Sequence, residues 1–341
     1  MKFDVVVGNP PYQETNSENN RDNPIYQYFY ELASKISQKY ILISPARFLS
    51  NVGQTPKSWN NKMLKDKHLK VLYFNQKSSN VFPNTDIKGG VAILYRDEQK
   101  ECGEIGTFTN HQELNGIIKK VNLPNFKSIS DIIFVRSSYK FSNALLVEHP
   151  ELRGRVKENE QKSMGSNVFD RYPEIFFLQK PDNGNYIQIY GRQNNERILK
   201  YVKSEFVREG GNLKYWKVLV PKSNGSGKFG ETLSSPVVMG PEVGHTQTFI
   251  SFGKFKTETE AIALKKYLST KFLRAMLGVK KITQDNATKD TWSKVPLEDF
   301  TSNSDIDWTK SIAKIDQQLY AKYNLGEDEI DFIEKKVKPM E

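Results

Sequence analysis

The stretch FDVVVGNPPYQ, residues 3–13, constrains this chain more than any other. Phe3, Val5, Val6 and Val7 are aromatic or β-branched and are interrupted only by Asp4, a pattern that predicts a buried central strand. Gly8 ends the run, and Pro10 and Pro11 forbid any continuation as sheet or helix. Asn9 and Tyr12 are therefore fixed on a stiff turn at the carboxyl end of a strand, where open α/β sheets place their ligands.

The next segments supply the rest of such a sheet. QETNSENNRDN is too hydrophilic to pack and predicts a loop. NPIYQYFYELASKISQKY predicts a helix with Asn23 as cap, Pro24 at its first position, and Ile25, Tyr28, Phe29, Leu32 and Ile36 on one face. YILISPARFL predicts a second buried strand ending in another proline-bearing turn, and TPKSWNNKMLKD a short helix capped by Thr55. KVLYFNQ is a strand, SSNVFPNTDIKGG a loop, and GGVAILYRD the returning strand. This order predicts a mostly parallel α/β sheet finishing in a hairpin.

From about residue 101 the texture changes. Strand-like pieces (DIIFVRSS, EIFFLQK, YIQIYGR, YWKVLVP) alternate with turns such as PDNGN and SNGSGKFG. TETEAIALKKYLSTKFLRAMLG predicts one long helix, with Thr257 and Glu260 as a capping box and Gly278 as its end. Two helices around WTKSIAKIDQQLYAKY and EDEIDFIEKKV close the chain. Two domains are expected, residues 1–104 and 105–341.

Charge points to a partner. The 341 residues carry a net charge of +10 and a pI near 9.3, which suits either plain solubility or a polyanion, most simply nucleic acid. The excess is concentrated: residues 136–230 hold 17 Lys/Arg against 10 Asp/Glu, whereas residues 296–341 hold 6 against 11. The apolar runs fall short of the roughly 18 residues a membrane span needs, and the start of the chain has no signal-peptide pattern. A single cysteine, Cys102, excludes intrachain disulfides and cysteine-rich zinc sites. The cytoplasm is the expected compartment.

Asn-Pro-Pro-Tyr suits one difficult reaction. An exocyclic amine is a poor nucleophile because its lone pair is delocalised into the ring. Acceptors for both amine protons let the nitrogen become tetrahedral and aim that lone pair at a methyl group. Asn9 Oδ1 and the Pro10 carbonyl can supply them, proline offering no competing N–H. Tyr12 can stack on the base, which must be flipped out of the duplex at a cost of a few kcal/mol.

FDVVVGNPPYQ resembles motif IV of the S-adenosylmethionine-dependent amino-methyltransferases. The continuation resembles the γ-class DNA adenine-N6 methyltransferases, the Eco57I-like and TaqI-like groups of restriction–modification systems. NPIYQYFYELASKI resembles their next motif, which implies that Phe29 lines the donor's adenine pocket, with Asn9 and Pro11 also on the donor side. ILISPARFL resembles the strand that follows. SNVFPNTDIKGGVAILYRD resembles motif VIII, which implies that Phe82 clamps the flipped adenine opposite Tyr12. KYWKVLVPKSNGSGKFG and FGKFKTETEAIALKKYLSTKFLRAMLG resemble the target-recognition region of Eco57I-like chains, with Lys214, Trp216, Lys217 and Lys222 as expected DNA contacts. The implied architecture is a partial doubly wound, Rossmann-like methyltransferase sheet (residues 1–104) followed by an α+β target-recognition domain (105–341).

One departure stands out. The family carries, before Asn-Pro-Pro-Tyr, a Gly-rich strand-to-helix turn for the donor's methionine and an acid for its ribose. VVMGPEVG, ISFGKF and SNGSGKFG are the nearest candidates here, and none has that setting. The S-adenosylmethionine pocket is therefore expected to be incomplete, with a partner subunit supplying the donor-binding half unless the chain is a remnant or fragment, and with the Phe3–Val7 edge covered by that partner or by self-association. Competing readings are a non-catalytic DNA-specificity subunit and a protein-glutamine or RNA amino-methyltransferase. Glu160-Gln161-Lys162 with Asp131 has nuclease-like spacing, but such triplets are common in charged chains. His68, His111, His149 and His245 show no ligand spacing, so no metal site is expected.

Overall fold

The computed structural model describes residues 3–14, 23–51, 54–87, 89–123, 125–156, 162–208, 210–281 and 284–340. Most of the hydrophilic loop QETNSENNRDN, and Glu160 and Gln161 of the nuclease-like triplet, lie outside them. The chain divides into two compact units, Met1–Asn115 and Gly116–Glu341.

In the first unit, β1 (Val6–Gly8) leads to two short paired strands, β2 (Gln13–Glu14) and β3 (Asn23–Pro24). Then come α1 (Tyr26–Ile36), β4 (Lys39–Pro45), α2 (Lys57–Lys65), β5 (Leu69–Asn75) and β6 (Val91–Asp97). The sheet order is β1-β4-β6-β5. β1 and β4 run parallel, with α1 in the connection between them, while β6 is antiparallel to both neighbours. The expected hairpin is present, but its return strand inserts between β4 and β5, so only one of the three ladders is parallel. The result is a mixed α/β sheet.

β1 is an edge strand of this sheet, not a central one. Val7 is 70% exposed, and Phe3 and Val5 are also exposed. α1 likewise turns the opposite way from its expected orientation: Tyr26, Gln27, Tyr30 and Ala33 are buried, while Tyr28 and Leu32 are exposed and Phe29 is half-buried. The helix is apolar on two sides, and the aromatic cluster decides between them. Tyr26 and Tyr30 pack on Phe48 and Trp59 with ring centroids 5.9–6.3 Å apart. Asn23 and Pro24 are used in β3, so Ile25 precedes the helix without a side-chain cap. Thr55 does not cap α2 either; its hydroxyl donates to Asn60 Oδ1 at 2.7 Å.

α3 (Gln112–Val121) crosses the boundary. The second unit contains β7 (Ile133–Phe134), β8 (Lys140–Phe141), α4 (Asn143–Glu148), α5 (Val168–Arg171), β9 (Tyr186–Gln193), β10 (Glu196–Lys203) and β11 (Val207–Arg208). These are followed by β12 (Trp216–Pro221), β13 (Val237–Met239), β14 (Val243–His245), β15 (Phe249–Phe255), α6 (Glu258–Ser269), α7 (Lys271–Gly278), α8 (Lys289–Trp292), α9 (Ile312–Lys322) and α10 (Glu327–Lys336). Its sheets are β13-β12-β15-β7, β10-β9-β14 and β11-β8. DIIFVRSS contributes only the two residues of β7, and EIFFLQK only a bridge from Phe177 to Tyr201.

The long helix is two helices. The capping box of Thr257 and Glu260 starts α6, but Thr270 is extended (φ −66°, ψ 150°) and accepts from Leu273 N to begin α7. Asp316, buried on α9, accepts from Lys271 N at 3.0 Å and Phe272 N at 2.9 Å. A carboxylate from a distant segment thus serves the open N–H groups of a helix start, which local helix propensity does not report.

Candidate functional site

The first unit gathers three loops at one end of its sheet. β1 and β4 are parallel, so Gly8 and Pro45 mark the same end. Pro45 pairs with Val91, and Val91 with Asn75, which brings the β5–β6 loop to that end as well. Between the loops lies a cleft of about 760 Å³ lined by Asn9, Pro10, Pro11, Tyr12 and Phe82. Four expected site residues and the donor-side Pro11, from segments 70 residues apart in sequence, therefore meet in one cavity.

Each loop is held in shape. The Asn-Pro-Pro-Tyr turn is fixed at its entry by the β1–β4 ladder and at its exit by the β2–β3 pair and by Ile25 N donating to Tyr12 O at 3.1 Å. Asn9 is exposed and Pro10 buried. Among the described residues the Asn9 carboxamide makes no hydrogen bond, which leaves its oxygen for a ligand. Tyr12 is half-buried, its hydroxyl buried and without a hydrogen-bond partner among the described residues. Burial raises its pKa, so the ring stays neutral.

Phe82 sits on a loop organised by Ser78. The buried Ser78 hydroxyl accepts from Ile87 N at 2.8 Å and donates to Thr85 O at 3.1 Å, and Phe82 N donates to Ser78 O at 2.8 Å. Gly90 closes the loop at φ +78°, where an added Cβ would meet Asn75 O at 2.2 Å. Its carbonyl accepts from Ala46 N at 2.9 Å, tying the Phe82 loop to the turn after β4.

Some expected residues are elsewhere, and others were missed. Phe29 is half-buried on α1 and does not line the cleft. Arg47, Gln54 and Asp86 do line it. Arg47 follows the proline-bearing turn of YILISPARFL, which the parallel pairing of β4 with β1 brings to the cleft; no local sequence signal marks it.

None of the three Gly-rich segments opens a helix. VVMGPEVG is a strand–turn–strand across β13 and β14, and ISFGKF lies within β15. In SNGSGKFG, Ser226 N and Gly227 N donate to the Glu231 carboxylate at 2.9–3.1 Å. This anion cradle is filled by the protein's own side chain. Among the described residues no turn suited to the donor's methionine and ribose is found.

In the second unit Lys214 is exposed and Trp216 half-buried against Gly240. The expected phosphate contact by Lys217 is corrected: it is fully buried, its ammonium donating to Gly240 O at 3.0 Å and Leu213 O at 3.3 Å. Lys222 is half-buried, with Nζ 3.3 Å from Ser166 Oγ, and lines a groove with Arg192 and Arg197. His245 is buried between Thr246 O and Ser251 Oγ, both at 3.0 Å. Among the described residues no cluster of three or more His, Cys, Asp or Glu is placed to hold a metal, and no helix is long and apolar enough to cross a membrane.

Burial lowers the His245 pKa to about 4, so the folded state resists protonation that the unfolded chain accepts near 6.5. Stability from this group is present above pH 6.5 and lost as pH falls towards 4, by about 3 kcal/mol. Asp316 acts in the opposite sense, because burial raises its pKa to about 6. Replacing His245 with Gln should make the unfolding midpoint less sensitive to acid in this window, measured by denaturant titration at pH 7 and pH 5. An unchanged difference between the two pH values refutes the assignment.

The cleft is thus lined by the asparagine, both prolines and the tyrosine of the Asn-Pro-Pro-Tyr turn and by Phe82, with Arg47, Gln54 and Asp86 beside them. Residues 1–82 match the model of the family described as Eco57I restriction-modification methylase. An uncharacterized adenine-specific methylase of Mycoplasma pneumoniae is 36% identical over 98 residues, which is 28% of this chain and 23% of the relative. Among solved structures, the type IIG restriction endonuclease BpuSI aligns at 10% identity and TM-score 0.33 over 94% of this chain and 48% of its own. The type IIL restriction-modification enzyme MmeI, in complex with DNA, aligns at 9% identity and TM-score 0.34 over 98% and 56%. The chain thus spans about a quarter of the curated relative and about half of each structure.

Proposed function

We infer that this chain carries the amine-positioning side of a restriction–modification DNA methyltransferase acting on adenine N6 in the cytoplasm. The single observation that carries the reading is the convergence of Asn9, Pro10, Tyr12 and Phe82 on one cleft. Asn9 Oδ1 and the Pro10 carbonyl accept the two amine protons, and Tyr12 and Phe82 hold the flipped base between them. Residues of the second unit bind the surrounding duplex.

Methyltransferases of this kind take their methyl group from S-adenosylmethionine. Asn9 and Pro11, which line the cleft, would be the residues on its side of the amine. The described residues do not fit its methionine and ribose, so no step is assigned to the donor. A donor-binding module, on the same polypeptide or on a partner subunit, is the occupant that suits the exposed β1 edge. Gly8 at the end of β1 runs directly into Asn9, so a strand added beside β1 would end next to the amine site. Exposed Val5 and Val7 give that edge an apolar surface of the kind proteins normally cover.

The test is transfer of labelled methyl groups to adenine N6 in duplex DNA by the protein together with its donor-binding module. Loss of stacking on one face of a base is worth about 1–3 kcal/mol. Tyr12→Ala and Phe82→Ala should therefore each weaken binding of a duplex carrying 2-aminopurine at the target position by roughly 5- to 160-fold, and should change its fluorescence. Affinity and fluorescence unchanged in both variants would refute the clamp.

A further inference from the structure

A surface for the duplex can be named within the second unit, and the inference rests on the DNA-methyltransferase reading. β9 and β10 form an antiparallel ribbon of eight residues per strand. It is closed by Asn194 and Asn195, both at positive φ (49° and 66°), as a two-residue type I′ turn requires. Arg192 Nη2 steadies the turn by donating to Asn195 Oδ1 at 3.1 Å. The tip forms part of a groove of about 590 Å³ that also receives Arg197 and Lys222.

These cations are held by neutral partners. Arg197 lies over the Phe249 ring at 5.8 Å and donates to Ser235 O at 3.1 Å. Among the described residues none of the three forms an ion pair, so their charge remains available to an anion. Among the described residues the acid lining the groove is Asp170, which accepts from Gln193 Nε2 at 2.5 Å. Arg192, Arg197 and the tip asparagines are exposed.

We propose that this ribbon tip and its groove are the surface that reads double-stranded DNA. Arg192, Arg197 and Lys222 contact phosphates, and the exposed carboxamides at the tip reach base edges in the major groove. That groove admits a two-stranded β-ribbon, and a carboxamide presents the donor and acceptor that match adenine there. The narrow major groove of duplex RNA does not admit such a ribbon.

The experiment is a salt titration of binding to a labelled DNA duplex by fluorescence anisotropy, using the full chain. The Arg192→Ala/Arg197→Ala variant should bind at least tenfold more weakly, and the slope of log affinity against log salt should fall by about 2. Lys314→Ala/Lys335→Ala, which removes the same charge from α9 and α10, should bind within twofold of the parent. Thermal melting checks folding, and Arg192→Gln/Arg197→Gln serves if the alanine variant does not fold. Failure of the parent to bind any duplex at low salt overturns the DNA reading and this proposal together. Binding by the parent that the arginine variants match, an equal loss in the lysine variant, or a preference for duplex RNA overturns this proposal alone.

Discussion

Replacing Asn9 with alanine should reduce methyl transfer to adenine about a thousandfold while leaving DNA affinity within about threefold. The asymmetry follows from when the contact matters. Asn9 is exposed, and its amide makes no hydrogen bond among the described residues, so its loss leaves no buried polar group unpaired. In the proposed reaction its oxygen is needed as the amine nitrogen turns tetrahedral and its protons become more acidic. Removing one preorganised group that stabilises developing charge typically costs about 10²–10³ in rate. Single-turnover transfer of labelled methyl groups separates this effect from binding. Asn9→Asp, which keeps an acceptor oxygen, should recover part of the lost rate. Methylation by Asn9→Ala within tenfold of the parent would remove Asn9 from the chemistry.

The turn at Asn9 was readable in the sequence because two prolines after a β-branched run force a turn at a strand end, and backbone sterics act within a few residues. Phe82 was reached only through the resemblance of its segment to motif VIII, not from a local rule. What needed partners from far along the chain was not readable. The position of β1 at an edge depends on its neighbours, and the core-facing side of α1 depends on Phe48 and Trp59. The break at Thr270 is served by Asp316, 46 residues away. The insertion of β6 between β4 and β5 likewise leaves no mark in the order of elements. Arg47 was missed for the same reason, since only strand pairing shows that its turn opens onto the Asn9 cleft.

Lys217 shows how a charge pattern misleads, and its replacement should have the largest effect on stability. In KYWKVLVPK the lysines beside Trp216 look like a phosphate-binding stripe. Next to the half-buried Trp216, however, the Lys217 side chain is fully enclosed. Its ammonium bonds the carbonyls of Leu213 and Gly240, the residues just before β12 and just after β13. Lys217→Met fills much of the same volume but leaves the Gly240 carbonyl without its donor, while Leu213 O keeps the bond from Glu242 N at 2.8 Å. An unsatisfied buried group costs about 1–3 kcal/mol, and a loss of that size is expected. For a unit of this size that lowers the melting temperature by roughly 2–12 °C. DNA affinity measured well below the transition should not change, nor should its salt slope, because a buried ammonium neutralises no phosphate. Lys214→Met, at an exposed position, should leave the melting temperature within about a degree or two of the parent. A stable Lys217→Met protein with a weakened salt dependence would return Lys217 to the DNA surface.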